Sequence, residues 1–514
     1  MSILIHTHDG GRFALEPKDG DTLARTIFLS RLWHGVPLCS GLGKCGLCRV
    51  RFLANPPEAG GDELRKLGQD AVDHGWRLSC LHPSAPCEIE LPEPRRTKRA
   101  VRSIRQAAGD FQLAVDLGTT SIHWTALAQG EPVASGSELN PQTGMGSEVM
   151  SRLAAAATAE GRFVLRALVT DRIAELVRLA ADNLDGQCTG LAISGNPAMT
   201  YILLGKKPDD LASAPYTLSY VGGDEKKLGA DLPPAYIPPL LAPFVGADLS
   251  AGLTAVEYGD APRYPLLLAD LGTNGEFILS LAPDKRFCAS VPMGPALEGV
   301  GLTFGRAAGP GAITGFTLTP KGLEARYFDG PQDEPGMTGT GYLSLVAILL
   351  RQGVLTESGQ FGPGSTPLAA RLAERVAERN GEPAFAVTDD LFLPASDVEE
   401  ILKVKAAFNL AMSVLLREAD LGPEGLNAIH IAGALGEHVN LDDLETLGFL
   451  PAGCAAKAVK AGNTSLKGTE LFLTDPGARR FAESIPATLT RLELAGDPSF
   501  GDAFVKRMRF TYVD

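Results

Sequence analysis

The chain has 514 residues, 45% apolar and 21% charged, which excludes wholesale disorder, a collagen-like fibre and a cysteine-stapled miniprotein and suggests about three or four domains. Its 47 Lys/Arg against 61 Asp/Glu leave a net charge of −14, which argues against nucleic acid as a partner. No run of about 18 apolar residues is present, so no membrane-spanning helix is expected. The stretch from Met1 to Asp9 turns polar too early for a secretory signal, so a cytoplasmic location is the default expectation.

In chain order, Ser2–Ile5 and Arg12–Leu15 read as a hairpin around Asp9-Gly10-Gly11. Asp21 reads as the N-cap of a helix over Thr22–Trp33. Five of the eight cysteines fall in the first 94 residues. In a cytosolic chain such a cluster argues for metal rather than disulfides. The spacing is Cys39-x5-Cys45-x2-Cys48, with Cys80 after 31 further residues. Plant-type ferredoxins use C-x4-C-x2-C and a distant cysteine, and the extra residue in the first gap resembles vertebrate-type and bacterial variants of that loop. Gly41, Gly43 and Gly46 suit a loop whose N–H groups turn toward anionic sulfides and thiolates. Cys39, Cys45, Cys48 and Cys80 are therefore the candidate ligands of a [2Fe-2S] cluster. Zinc is the rival, although structural zinc sites favour two paired knuckles. Cys87, in the strand-like Cys87–Leu91, is the alternative fourth ligand. Cys48–Leu53 reads as a strand leaving the cluster, which completes the β-grasp order of a ferredoxin.

Residues 1–94 carry 10 − 12 = −2, residues 95–105 carry six Lys/Arg and no acid, and the remainder carries 31 − 49 = −18. Residues 95–110 thus read as a basic linker, either a solvated tether or a docking segment for an acidic partner. Beyond it, Phe111–Thr120 is an apolar strand running into Asp116-Leu117-Gly118-Thr119, and Leu266–Glu276 runs into Asp270-Leu271-Gly272-Thr273. The offset, 270 − 116 = 154 residues, is a domain-sized repeat. Strand-like and helix-like segments alternate after each copy (Arg162–Leu184, Leu191–Ser194, Asp397–Ala419, Ala428–Ala432), implying two α/β lobes, 111–262 and 263–514. At the strand ends Asp116 and Asp270 can hold Mg2+, usually through water. Gly118 and Gly272 offer backbone N–H groups, and Thr119, Thr120, Thr273 and Asn274 offer polar contacts, to phosphate oxygens. A single such tetrapeptide occurs by chance in buried strands; two in register argue against chance.

This plan resembles the acetate and sugar kinase, heat-shock cognate and actin superfamily, in which ATP sits between two ribonuclease-H-like lobes. The resemblance implies phosphate loops at Asp116–Thr120 and Asp270–Asn274. It also implies an adenosine loop at Ile431–Glu437, bordered by Gly433 and Gly436, with an ordinary strand–helix turn as the alternative. Joined to a [2Fe-2S] domain, the chain resembles, over nearly its whole length, the ATP-dependent reductive activators of corrinoid proteins. The segments that carry this are Asn140-Pro141-Gln142, Ser194–Met199, Val245–Asp248, Asp270–Glu276, Met293–Gly299, Gly462–Leu466 and the closing Phe500–Phe510. Departures from the family pattern fall at Gly305–Ile313, Met337–Gly341 and Ala432–Gly436, and bear on partner and nucleotide detail more than on fold.

The fold implied is α/β: an N-terminal β-grasp ferredoxin domain over 1–94 and a duplicated, two-lobed ATPase. The function implied is one-electron reduction of inactive Co(II) to Co(I) in the corrinoid protein of a methyltransferase system, driven by ATP and fed by an unidentified electron donor. A homodimer is compatible with it. Asp116 and Asp270 would organise Mg2+ and water, and Glu276 or Asp270 would orient the attacking water. Met293–Gly299 would face the partner or pack a lobe. An activator of another low-potential enzyme, and a small-metabolite kinase with a fused redox domain, are the alternatives.

Overall fold

The computed structural model describes residues 2–30, 32–33, 41, 43, 46–93, 100–102, 109–146, 148–259, 262–272, 274–298, 301–306, 308–330, 336–494 and 499–514. Cys39, Cys45, Thr273, Gly299 and most of the basic linker lie outside the described residues. The chain divides into two compact units. One is Met1–Ile193 with Ala198–Ser219 and Glu225–Ala235; the other is Tyr236–Asp514 with Ser194–Pro197 and Tyr220–Asp224. Among the described residues no helix is long and apolar enough to cross a membrane.

The first unit opens with a five-stranded sheet of β1 (Ile3–His6), β2 (Arg12–Leu15), β3 (Arg49–Phe52), β4 (Trp76–Leu78) and β5 (Cys87–Glu90), ordered β2-β1-β5-β3-β4. Strand alternation puts Ile3 and Ile5 in the core and leaves Leu4 exposed. β1 is antiparallel to β2 and parallel to β5. The expected helix is shorter and capped differently. It spans Leu23–Leu29, and its N-cap is Thr22, whose hydroxyl accepts from Arg25 N at 3.2 Å. Thr22 can do this because it is held extended by a bridge to Pro83; Asp21 instead pairs with the Arg25 side chain.

A seven-stranded sheet contains β6 (Ala100–Arg102), β7 (Phe111–Leu117), β8 (Ser121–Ala128), β9 (Glu131–Leu139), β10 (Cys188–Ser194), β11 (Asp224–Lys226) and β12 (Ala235–Ile237); Ser194, Asp224, Tyr236 and Ile237 at its margin are counted with the second unit. Its order is β11-β12-β10-β7-β8-β9-β6. β6 lies inside the segment expected to be a tether, yet it pairs with β9 in the register Ala100↔Ser137. An open sheet edge offers unpaired N–H and C=O groups, and an extended segment beside it is drawn into the ladder.

The second unit repeats the plan. β13 (Leu266–Leu271), β14 (Asn274–Ala282) and β15 (Lys285–Pro292) form an antiparallel meander. Two small sheets follow, β16 (Ala312–Thr319), β17 (Gly322–Tyr327) and β18 (Gly336–Met337), then β19 (Val376–Arg379), β20 (Glu382–Ala386) and β21 (Phe392–Pro394). β22 (Ala428–Ala432), β23 (Ala458–Gly462) and β24 (Leu489–Arg491) complete the main sheet, ordered β23-β22-β13-β14-β15-β24. In both copies a long helix, Ala159–Leu184 or Ala395–Glu418, precedes the strand that returns beside the first strand of the meander: β10 next to β7, β22 next to β13.

The segment Val245–Asp248, assigned from sequence to the first lobe, folds with the second unit. The reason is small-residue packing. The helix Ala247–Glu257 lies so close to Thr464–Thr474 that a Cβ on Gly468 would sit 1.9 Å from Ala251 O. At the far end of that helix Glu257 and Arg286, both fully buried, form an ion pair at 2.5 Å. Ser280 and Tyr264 donate to Glu257, and Pro283 O and Thr488 Oγ1 accept from Arg286, which offsets much of the cost of burying the pair.

Candidate functional site

Three groupings emerge, two in the first unit and one in the second. In the first, antiparallel pairing of β3 with β4 sets Arg49 opposite Leu78, so Cys48 and the turn Ser79–Leu81 meet at one sheet end. Ser79 donates to Cys48 O through its N–H (3.1 Å) and its hydroxyl (2.7 Å). Cys48 and Cys80 are both buried. Gly41, Gly43 and Gly46 all have left-handed φ, +91°, +68° and +71°, which residues with a Cβ adopt only at a cost. The buried carboxylate Glu63 was not anticipated from sequence. It accepts from Leu78 N at 2.6 Å and lies 3.0 Å from His82 Nε2, bracketing Cys80 on both sides. Its only local signal is the bond from Gly60 N across the first helical turn. Cys87 sits in β5 opposite Ile3, and burial pushes its thiol up to about 11.

In the same unit Asp116 ends β7, and Asp116 and Thr119 are buried. The three carbonyls that follow are held from behind. Gly118 O accepts from Asn140 Nδ2, Thr120 O from Asn140 N, both at 2.8 Å, and Thr119 O from the Arg152 guanidinium at 2.5 Å. The turn is tight at Gly118, where a Cβ would lie 2.7 Å from Ser121 O.

In the second unit the register Asp270↔Glu276 places the two carboxyls on one side of the β13–β14 pair. Glu276 is buried, and its carboxyl is held well above the usual range, first by desolvation and then by the negative charges of Asp248 and Asp270. Asp248 stands in the first turn of Ala247–Glu257, where Ala247 N bonds to Gly195 O at 3.0 Å. Parallel pairing of β13 with β22 sets Asp270 opposite Ala432, which delivers Gly433 to the carboxylate. Gly433 has φ +84°, and a Cβ there would lie 2.6 Å from Asp270 Oδ1 and 2.7 Å from Leu271 O. Gly436 likewise faces Ile431 O, at 2.3 Å from a would-be Cβ. Glu298 Oε1 comes within 3.7 Å of the equivalent point at Gly272.

The structure thus groups Asp270, Glu276, Gly272 and Gly433 as expected, and adds Asp248 and Glu298. Both additions lie in motifs noted in the sequence, but neither spacing signals a role. Asp116, Gly118, Thr119 and Thr120 belong to the other unit. Met293, Ala296 and Leu297 are buried in the second unit's core, so this stretch packs the lobe. Asp397, also missed, accepts from Thr303 N and Oγ1 at 3.0–3.1 Å and from Tyr342 OH at 3.1 Å. Burial pushes its carboxyl up to about 6.

Residues 265–514 match the family model described as the C-terminal domain of RACo, the ASKHA domain, and residues 111–260 match the RACo middle region. The chain is 28% identical over 424 residues to the corrinoid activation enzyme RamQ of Eubacterium limosum, covering 78% of this chain and 70% of that protein. It is 27% identical over 390 residues to the [Co(II) methylated amine-specific corrinoid protein] reductase of Methanosarcina barkeri, covering 68% and 65%. A solved reductive activator for a corrinoid, iron-sulfur protein shares the fold, with a TM-score of 0.68 and 22% identity across 100% of this chain and 99% of that one.

Proposed function

With both RACo regions in one chain, this protein belongs to the RACo family, and we propose that it reactivates a corrinoid protein by ATP-dependent reduction of Co(II) to Co(I). The observation that carries the reading is the union of two devices. One is a cysteine loop whose glycines adopt the left-handed turns of a thiolate cradle; the other is a doubled Asp-Leu-Gly-Thr strand end. Cys39, Cys45, Cys48 and Cys80 hold a [2Fe-2S] cluster in a ferredoxin-type module. Cys87, seven residues past Cys80 and within strand β5, is left out of the ligand set. When bound, the cluster supplies the single electron that Co(II) takes up; a separate reduced donor restores it.

Co(I) is a low-potential state, so the transfer needs a driving force. About 1.4 kcal/mol corresponds to roughly 60 mV for one electron, so a few kcal/mol from ATP suffices. Asp270 holds hydrated Mg2+ and orients the attacking water. Glu276, whose carboxyl is raised by desolvation and by the charges of Asp248 and Asp270, is the other candidate for orienting that water. Gly433 and Gly436 leave room for the nucleoside, while Gly272, Thr273 and Asn274, with Gly118, Thr119 and Thr120, contact phosphates. Asp116 serves Mg2+ in the other copy.

The test is anaerobic. Full-length protein, a reductant, Mg-ATP and a Co(II) corrinoid protein are mixed, and the cobalt absorption is followed. Conversion to Co(I), or to methyl-Co(III) with a methyl donor, should require ATP. Equal rates without ATP would overturn the assignment and favour the metabolite kinase.

A further inference from the structure

The N-terminal module and the first phosphate loop are joined by more than a linker. In the helix Leu23–Leu29, the largely buried Phe28 lies against the turn Thr143–Met145. A Cβ on Gly144 would sit 2.2–2.4 Å from the Phe28 ring, so only glycine admits this approach. The same turn is bolted to the phosphate loop. Gly146 O accepts from Arg152 Nε at 2.7 Å, and another nitrogen of that guanidinium donates to Thr119 O. Gln142 Oε1 takes a third Arg152 bond at 3.3 Å and Asn140 Oδ1 receives Gln142 N at 2.9 Å. Asn140 in turn holds Gly118 O and Thr120 O. Asn140, Gln142 and Arg152 are all fully buried.

Burying a guanidinium is costly unless its rigid fork is satisfied. Here the fork is satisfied by backbone oxygens from both ends of the connection, Thr119 on the loop and Gly146 on the turn. A displacement of the loop therefore cannot be absorbed without breaking buried bonds, and it is passed to the turn and to Phe28. Close-packed contacts transmit such shifts rather than damping them.

We infer that Arg152 and the Asn140–Gly146 turn are positioning elements that couple occupancy of the Asp116–Thr120 loop to docking of the N-terminal module through Phe28. The inference rests on the nucleotide reading of that loop given above. It assigns a physical route by which ATP governs where the electron-carrying module sits. Coupling is reciprocal, so a change at Phe28 must alter nucleotide affinity although Phe28 belongs to another module.

The experiment uses the full, iron-loaded chain with Mg-AMPPNP. Phe28→Ala should keep its iron yet change the nucleotide Kd by about 5-fold or more, within the span of about 5–150-fold usual for coupled sites. Phe28→Leu should restore part of the effect, and the melting temperature of each variant separates a loss of general stability from a loss of coupling. In the wild type, nucleotide should alter amide exchange over residues 23–29; in Arg152→Lys, which cannot form the fork, it should not. Should Phe28→Ala lose iron, Gly144→Ala tests the same contact from the other side. Unchanged Kd with the cluster retained, or exchange over 23–29 indifferent to nucleotide in the wild type, overturns the coupling. If cobalt reduction requires ATP but these readings are flat, the coupling fails alone. If the coupling is seen but cobalt reduction ignores ATP, the proposed function fails alone.

Discussion

Replacing Gly433 by alanine tests the geometry around Asp270. The added methyl would sit 2.6 Å from Asp270 Oδ1, so the carboxylate must retreat by at least 3.0 − 2.6 = 0.4 Å to reach the closest approach that real Cβ atoms show. The Leu271 carbonyl, 2.7 Å away, blocks the other direction. The left-handed φ of +84° adds about 1–2 kcal/mol for a residue with a Cβ, and overpacking typically adds about 1–3 kcal/mol. A central figure of about 3 kcal/mol lowers the melting temperature of the second unit by roughly 6–12 °C. Misplacing a catalytic group by about 1 Å can cost about 100-fold, so a fall in ATP turnover of roughly tenfold or more is expected. Calorimetry reads the first effect and phosphate release the second. Iron content should not change, because the cysteines belong to the other unit. A variant that melts and hydrolyses ATP like the wild type would refute the placement of Gly433 against Asp270.

Three further outcomes are expected. Anaerobically purified protein should carry about two irons per chain if the cluster is [2Fe-2S]; Cys45→Ser should lose them and Cys87→Ser should keep them, as judged by iron analysis and visible absorption. Glu257→Gln leaves Arg286 charged and buried, and removing one partner of such a pair costs about 3–5 kcal/mol, readable as a lower urea midpoint at unchanged slope. Lys405 is fully buried and donates to Asn409 Oδ1 and the carbonyls of Arg507 and Thr511. Desolvation, then Arg507 and Arg509, lowers it to about 7. Between about pH 7 and 10 the unfolded chain therefore binds more protons at this site, so stability rises by about 1.4 kcal/mol per pH unit across that window and no longer depends on this group below about pH 7. Lys405→Met should flatten that rise; an unaltered pH profile would show that Lys405 does not titrate as its burial demands.

Much of the candidate chemistry was legible along the chain because it is local. A cysteine triplet with interspersed glycines proposes a ligand spacing directly, and two Asp-Leu-Gly-Thr strings after apolar runs announce a duplication that the sheet orders repeat. The long helices and β22 also follow from local periodicity and lie within a few residues of where the pattern puts them. Even so, local signals misled wherever a neighbour distant in sequence competed. Thr22, not Asp21, caps the first helix because the chain near Pro83 holds it extended. Likewise, Ala100–Arg102 joins a sheet edge despite its basic surroundings.

The electrostatics and the couplings were decided only by tertiary structure. Gly433 meets Asp270 because the parallel register of β13 and β22 aligns Asp270 with Ala432, and no spacing along the chain encodes that register. Glu276 becomes a raised carboxyl only once folding buries it beside Asp248 and Asp270. Arg152 carries no signal of its own in sequence, and its bonds arise because the fold brings two separated backbone oxygens, Thr119 O and Gly146 O, to one guanidinium. Ligand identity is carried by residue type and can be read one segment at a time. Proton affinity, close approach and transmission depend on burial and on pairs of segments, and these exist only after the chain has folded.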